Sequence, residues 1–263
     1  MLDLAAITHA LGARARRFDV DLREACPSTN AELLVRAEAG AASGTVIVTR
    51  NQTQGRGRQG RAWIATPGDS LTFSLLWRFA PGTAPAGLSL AVGLAVAQAV
   101  DKVGAGGTAP LQLKWPNDLL KDRKKLGGIL IELVPGAPHA AIIGIGLNLR
   151  LPAGMPPELT AQSAALDSPV DASVLLAAIL VELLDVLTTF AHGGFAPLRD
   201  AWTARHAFEN RPIRLLADFA PPRTGQCRGV ASDGALLLET AGRIERVLSG
   251  EVSLRPAAPE EHE

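Results

Sequence analysis

Hydrophobic positions recur with two different periods along the chain, and the changes of period mark its elements. Residues 45–49 and 72–79 are β-branched and aliphatic runs too short for helices, so each is predicted as a strand, as are residues 18–25, 111–114, 128–134 and 140–149. Pro135-Gly136-Ala137-Pro138 separates the last two as a hairpin turn would. Helical spacing governs residues 31–39, 87–103 and 171–190. In the longest of these, Leu175, Ile179, Leu183, Val186 and Leu187 share one face behind a capping Asp171. The first begins behind Ser28-Thr29-Asn30, whose short polar side chains suit the orphan N–H groups of a first helical turn, and it stops at Gly40. Residues 195–208 are predicted as a further helix. Beyond Asn210 only short strands with tight turns remain, at 213–216, 226–230, 235–238 and 244–248, and Ser232-Asp233-Gly234 is the strongest turn. This pattern predicts a larger mixed domain over residues 1–209, a small β-barrel over 210–255 and a solvated tail over 256–263.

Composition narrows the classes of function. Hydrophobic residues make up 47% of the 263 and charged ones 20%, enough for a packed core. The 26 basic residues balance 26 acidic ones. A net charge of zero argues against a whole-protein grip on nucleic acid or anionic membrane and leaves room for a local basic patch. Cys26 and Cys227 lie far apart, and the five histidines are scattered. Neither set has metal-ligand spacing, so no metal site and no disulfide framework is expected, in keeping with a reducing compartment. Residues 1–17 lack a signal-peptide pattern, and the apolar stretch 86–100 is shorter than the roughly 18 residues of a spanning helix. A soluble cytoplasmic protein without a membrane partner is expected.

Five segments carry candidate chemistry. In Gln52-Thr53-Gln54-Gly55-Arg56-Gly57-Arg58-Gln59-Gly60-Arg61, glycines let the backbone approach a ligand and arginines supply planar donors for carboxylate or phosphate. It reads as an anion cradle or as an exposed loop with solvated arginines, and it is not a Walker loop because no Gly-Lys-Ser/Thr follows. In Lys114-Trp115-Pro116-Asn117-Asp118, a strand leads into a turn whose Asn117 and Asp118 either face a ligand or simply make the turn. Lys125 is the last charge before an apolar strand opened by Gly127 and Gly128, poised over the sheet or solvated. Asn148 is a polar residue inside an apolar strand and, if buried, must find a partner in the local backbone or a ligand. Ser28-Thr29-Asn30 can both cap a helix and bind at its start. No Gly-x-Ser-x-Gly elbow appears, and Cys26 beside Pro27 reads as a buried small residue. Cationic groups without a covalent nucleophile suit activation of a carboxylate by a nucleotide, where positioning and charge stabilisation dominate.

In this order, Ser28-Thr29-Asn30, the Gly55–Arg61 loop, Lys114-Trp115-Pro116-Asn117-Asp118, Lys125-Leu126-Gly127-Gly128 with the strand after it, and Gly144-Ile145-Gly146-Leu147-Asn148 resemble the biotin protein ligases (biotin–[acetyl-CoA-carboxylase] ligases). Residues 234–239 and 250–255 look like that family's terminal barrel. The resemblance implies an α+β fold: a mixed β-sheet catalytic domain flanked by helices, followed by a small C-terminal Src-homology-type β-barrel. It implies that biotin and ATP form biotinyl-5′-AMP, with Mg²⁺ accompanying the nucleotide. A lysine of the biotin carboxyl carrier protein of acetyl-CoA carboxylase then takes the biotinyl group. By the same resemblance Ser28, Thr29, Asn30 and Gln52 would hold the ureido end of biotin. Arg56, Gly57 and Arg58 would close over biotin and the adenylate phosphate. Arg58 and Lys125 would be the catalytic charges, and Asn117, Asp118 and Asn148 would line the nucleotide side.

About 25 residues precede Ser28, too few for a DNA-binding domain of ordinary size, so specific DNA binding is not expected. Two rivals stand beside this reading. A lipoate ligase or octanoyltransferase would share the catalytic fold, and a non-enzymatic RNA-binding protein would use the Arg-Gly loop.

Overall fold

The computed structural model describes residues 2–152, 154–217, 220–248 and 252–257. Seven strands form the larger sheet: β1 (Asp19–Arg23), β2 (Thr45–Thr49), β3 (Ser70–Arg78), β4 (Gln112–Lys114), β5 (Asp118–Lys121), β6 (Lys124–Val134) and β7 (Ala137–Asn148). Their order is β1-β2-β3-β7-β6-β5-β4. Only the β1–β2 pair is parallel, so the sheet is mixed.

The alternation along β3 and β7 decides what each face carries. Leu71, Phe73, Leu75 and Trp77 enter the main core with Ile143, Ile145 and Leu147. Helices α1 (Leu4–Leu11), α3 (Leu88–Lys102) and α5 (Ala172–Gly193) cover that face. On the opposite face, α2 (Thr29–Glu38) packs Leu33 and Ala37 over Ile47, Leu76 and Ile142. Beyond this small apolar cluster the same face carries Thr72, Ser74, Gly144 and Gly146. The ladder pairs Thr72 with Gly146 and Ser74 with Gly144, so a strip of hydroxyls and bare backbone is left under the start of α2.

α5 is long and apolar enough to cross a membrane by length and composition. Its apolar residues from Leu175 to Phe190 are spent on the core. Its polar groups are paired: Glu182 Oε1 accepts from Lys102 at 2.6 Å, and Asp185 pairs with Arg14 at 2.8 Å. α1 packs on α5 through Ile7 and Leu11, and Asp3 N donates to Ser173 Oγ at 3.0 Å.

After α4 (Pro157–Gln162), α5 and α6 (Arg199–Thr203), five antiparallel strands follow: β8 (Pro212–Ala217), β9 (Ala220–Val230), β10 (Leu236–Thr240), β11 (Arg243–Val247) and β12 (Val252–Pro256), in the order β11-β10-β9-β8-β12. Ile213, Leu215, Leu236, Leu238 and Leu254 join the main core. Trp115, fully buried, donates its Nε1–H to Gly234 O at 3.0 Å. The turn glycine is required there: Gly234 has φ +83°, and a Cβ would stand 2.7 Å from Gly87 Cα. Trp115→Phe is expected to cost about 2 kcal/mol by leaving a buried carbonyl unsatisfied. A shift in the urea midpoint reads this directly, and an unmoved midpoint would show that the tie carries nothing.

Several expectations need correction. Residues 195–208 do not form one helix. A 3-10 turn (Ala196–Leu198) runs into the five-residue α6. The chain then turns to pair with β4, Leu113 N donating to Arg205 O at 2.8 Å and Ala207 N to Leu113 O at 2.9 Å. Backbone pairing outcompetes helical spacing there. Helix α1, capped by Asp3, and strand β5 add to the expected elements, and β12 falls largely within residues 250–255, which the resemblance assigns to the barrel. Pro256, expected in a solvated tail, pairs with Ile213. Residues 258–263 of that tail, and residues 250 and 251 of the expected barrel motif, lie outside the described residues.

Candidate active site

The hydroxyl and glycine strip opens into a cleft of about 1050 Å³. Ser28 caps α2, its Oγ accepting from Ala31 N at 3.4 Å. That places Thr29 and Asn30 in the first turn, all three buried at the cleft. Gln52, from the chain leaving β2, accepts at Oε1 from Thr29 N at 2.9 Å and from Thr29 Oγ1 at 3.2 Å. Ser74 Oγ lies 2.7 Å from Thr29 Oγ1 and 2.5 Å from Asn30 Oδ1. Asn30 Nδ2 donates to Glu132 Oε2 at 2.7 Å. The glycine of the floor is sterically required, since a Cβ on Gly144 would collide with Asn30 Oδ1.

The Arg-Gly segment is a self-bonded turn. Gly57 N donates to Arg61 O at 2.7 Å, Trp63 N to Gly55 O at 2.9 Å, and Arg56 bridges to Ala62. This folds Trp63 onto the floor, where a Cβ on Gly146 would stand 2.5 Å from its indole. Two buried polar atoms facing this cleft, Trp63 Nε1 and Thr72 Oγ1, have no hydrogen-bond partner. Buried polar groups are ordinarily paired, so these are available to a ligand. Arg56 reaches Glu132 at 3.4 Å, and Arg58 Nη1 donates to Asn117 Oδ1 at 3.2 Å. Asn117 in turn donates from Nδ2 to Ile129 O at 2.9 Å.

The other end of the cleft is cationic. Asp118 accepts Lys125 Nζ at 2.7 Å on one oxygen and Lys114 Nζ at 3.2 Å on the other. Burial pushes the Asp118 carboxyl up, but Lys125 and Lys114 outweigh it and hold it below the usual carboxylate range. Burial lowers the Lys114 ammonium; Asp118 opposes that shift and Arg255 of β12 adds to it. Burial also lowers the Arg58 guanidinium, with Asp118 again opposing. Among the described residues, nine cationic side chains and one carboxylate, Asp118, line the cleft. The zero net charge of the chain therefore conceals a strongly positive local site.

The structure thus brings Ser28, Thr29, Asn30, Gln52, Arg56, Gly57, Arg58, Asn117, Asp118 and Lys125 to one cleft. Asn148 is not among the residues lining it, and its Nδ2 donates to Ala164 O at 3.0 Å. Sequence reasoning missed Trp63, Thr72, Ser74, Lys114 and Glu132. The signal for Thr72 and Ser74 was the strict alternation of polar and apolar residues from 71 to 75. No signal marked Trp63, whose place depends on the turn before it.

Residues 24–148 match the biotin/lipoate A/B protein ligase family, a match that leaves two chemistries open, and residues 210–255 match the biotin protein ligase C-terminal domain. The chain belongs to the biotin protein ligase family. Within that family it is 37% identical over 238 residues to the bifunctional ligase/repressor BirA of Escherichia coli, covering 88% of this chain and 72% of that one. It is 32% identical over 246 residues to the biotin–[acetyl-CoA-carboxylase] ligase of Mycobacterium tuberculosis, covering 92% and 91%. The biotin protein ligase from Aquifex aeolicus in complex with biotin and ATP matches its fold with a TM-score of 0.79 at 29% identity, covering 91% of this chain and 99% of that one. A mixed-sheet ligase domain followed by a small β domain is the architecture of this biotin protein ligase family member.

Proposed function

We propose that this chain joins biotin to ATP as biotinyl-5′-AMP and passes the biotinyl group to a lysine of the biotin carboxyl carrier protein of acetyl-CoA carboxylase. The observation that carries the reading is the polarity of the cleft, with amides and hydroxyls over glycine at one end and paired cations at the other. A ureido ring offers N–H donors and a carbonyl acceptor that Ser28, Thr29, Asn30 and Gln52 complement. A dithiolane ring would offer no partner to the unpaired Trp63 Nε1 and Thr72 Oγ1, which disfavours lipoate. A biotin carboxylate oxygen attacks the α-phosphorus of ATP, and the bond to pyrophosphate breaks. Lys125 and Arg58 offset the charge that develops on the phosphate oxygens. The carrier lysine, as a free amine, then attacks the acyl carbon; AMP departs and the amine loses its proton.

Asp118, the one carboxylate among the described residues that line the cleft, is already committed to two lysines. The donors present fit a magnesium ion held by triphosphate oxygens and water rather than by protein carboxylates. It would supply charge neutralisation at the leaving pyrophosphate. Residues 1–209 form the ligase domain in this reading, and residues 210–255 close the nucleotide end through Arg211, Ser253 and Arg255, which line the cleft.

The test is mass spectrometry of the protein with ATP, Mg²⁺ and biotin before any carrier is added. Retained biotinyl-5′-AMP is expected, and a covalent biotinyl-enzyme in its place would overturn the mechanism. Arg58→Gly is expected to form adenylate but retain it about tenfold less, because the loop's part is to hold the phosphate and exclude water. Escaped adenylate would label bystander lysines. Retention equal to that of the parent would make Arg58 a bystander.

A further inference from the structure

Three groups that the ligation chemistry does not use converge where the chain enters the C-terminal sheet. His206 and Glu209 lie on the turns between α6 and β8, and Cys227 lies on β9. His206 Nδ1 is 3.9 Å from Cys227 Sγ and 3.6 Å from Glu209 Oε2. All three ligand atoms lie within 4.8 Å of one another. The His206 ring and Cys227 are fully buried. Trp202 packs against the imidazole with ring centroids 4.7 Å apart and planes tilted by 33°. Glu209 Oε2 is buried without a hydrogen-bond partner, with the His206 ring beside it at 3.6 Å. Buried polar atoms are ordinarily paired, so this oxygen is available to a ligand. Gly229 keeps the space open: a Cβ there would stand 2.9 Å from Glu209 Oε2, and its φ is +75°.

We propose that His206 Nδ1, Glu209 Oε2 and Cys227 Sγ form a structural site for a divalent transition metal of the zinc class, with water as fourth ligand. Thiolate, imidazole and carboxylate together suit zinc and not magnesium or calcium. Donors in a tetrahedral zinc site stand about 3.5 Å apart, so the observed spacings need only a small closure. Charge agrees too. A dication with one thiolate, one carboxylate and a neutral imidazole buries no net charge. When the metal binds, the thiol proton leaves to solvent and the sulfur lone pair forms the bond to the metal. Without metal, burial pushes the Cys227 thiol up to about 11, so it stays protonated, while burial keeps His206 in the neutral form a metal needs. Residues 205–207 pair with Leu113, next to Lys114. A metal here would therefore fasten β9 to the strand that presents a cation to the cleft.

The test uses the full chain, stripped with chelator and titrated with Zn²⁺, and with Co²⁺ as a spectroscopic probe. Expected are about one tightly held Zn²⁺ per chain, a Co²⁺–thiolate charge-transfer band in the near ultraviolet and a melting temperature raised by Zn²⁺. Cys227→Ser should abolish the band, and Glu209→Gln should weaken Zn²⁺ binding at least about tenfold. Glu209 is partly exposed, so the second variant remains informative if the first fails to fold. Absence of the band in the parent protein, or Zn²⁺ bound equally by parent and Glu209→Gln, would overturn the proposal.

Discussion

Replacing Lys125 with alanine is expected to slow adenylate formation by about two orders of magnitude while the melting temperature barely moves. The side chain is 45% exposed, so its removal leaves little void. Asp118, its partner at 2.7 Å, keeps Lys114 at 3.2 Å and is not stranded. What disappears is the accessible cation of the pair, the one free to turn from Asp118 to an incoming carboxylate or phosphate. Pyrophosphate release and a thermal melt on the same preparation separate the two accounts. A large loss of stability with near-normal turnover per folded molecule would make Lys125 a structural ion-pair member.

Asp118→Ala reverses the balance. Its side chain and that of Lys114 are 15% and 13% exposed, so the substitution leaves a largely buried ammonium without a counter-charge. A destabilisation of about 3 kcal/mol at neutral pH is expected, in the range for breaking a buried pair. Its pH dependence follows from the sign of the shift. The folded carboxyl lies below its ordinary value because Lys125 and Lys114 outweigh burial. The unfolded chain therefore binds the proton more readily as pH falls. The advantage of the parent over Asp118→Ala should be complete above an unfolded value of about 3.9. It should fade as pH falls through the lower folded value. Urea unfolding of both proteins from neutrality into acid measures this, and a pH-independent difference would assign the loss to packing.

Local signals carried much of the fold. Thr45–Thr49 was bounded to the residue, and the helices behind Asp171 and Gly87 were placed within a few positions, because β-branching, capping and apolar periodicity act over short spans. Residues 195–208 misled because Leu113, more than eighty positions earlier, competes for their backbone groups, and no local period records that. The site divides in the same way. Arg58, Asp118 and Lys125 stand in contiguous motifs and were legible. Trp63 reaches the cleft only through the folding back of a turn, and Ser74 and Glu132 reach its lining residues Thr29 and Asn30 only through strand pairing. His206, Glu209 and Cys227 meet across the junction of two sheets, where separation along the chain says nothing about separation in space.

The charge asymmetry of the cleft also acts at a distance. Among the described residues, nine cations and one carboxylate line the cleft, so positive charge is concentrated there although the chain as a whole is neutral. A focused positive field of this kind steers small polyanions toward the cleft mouth during diffusion. Capture of nucleotide should then be fast in dilute buffer and slow as salt shortens the reach of that field to about 10 Å near 0.1 M.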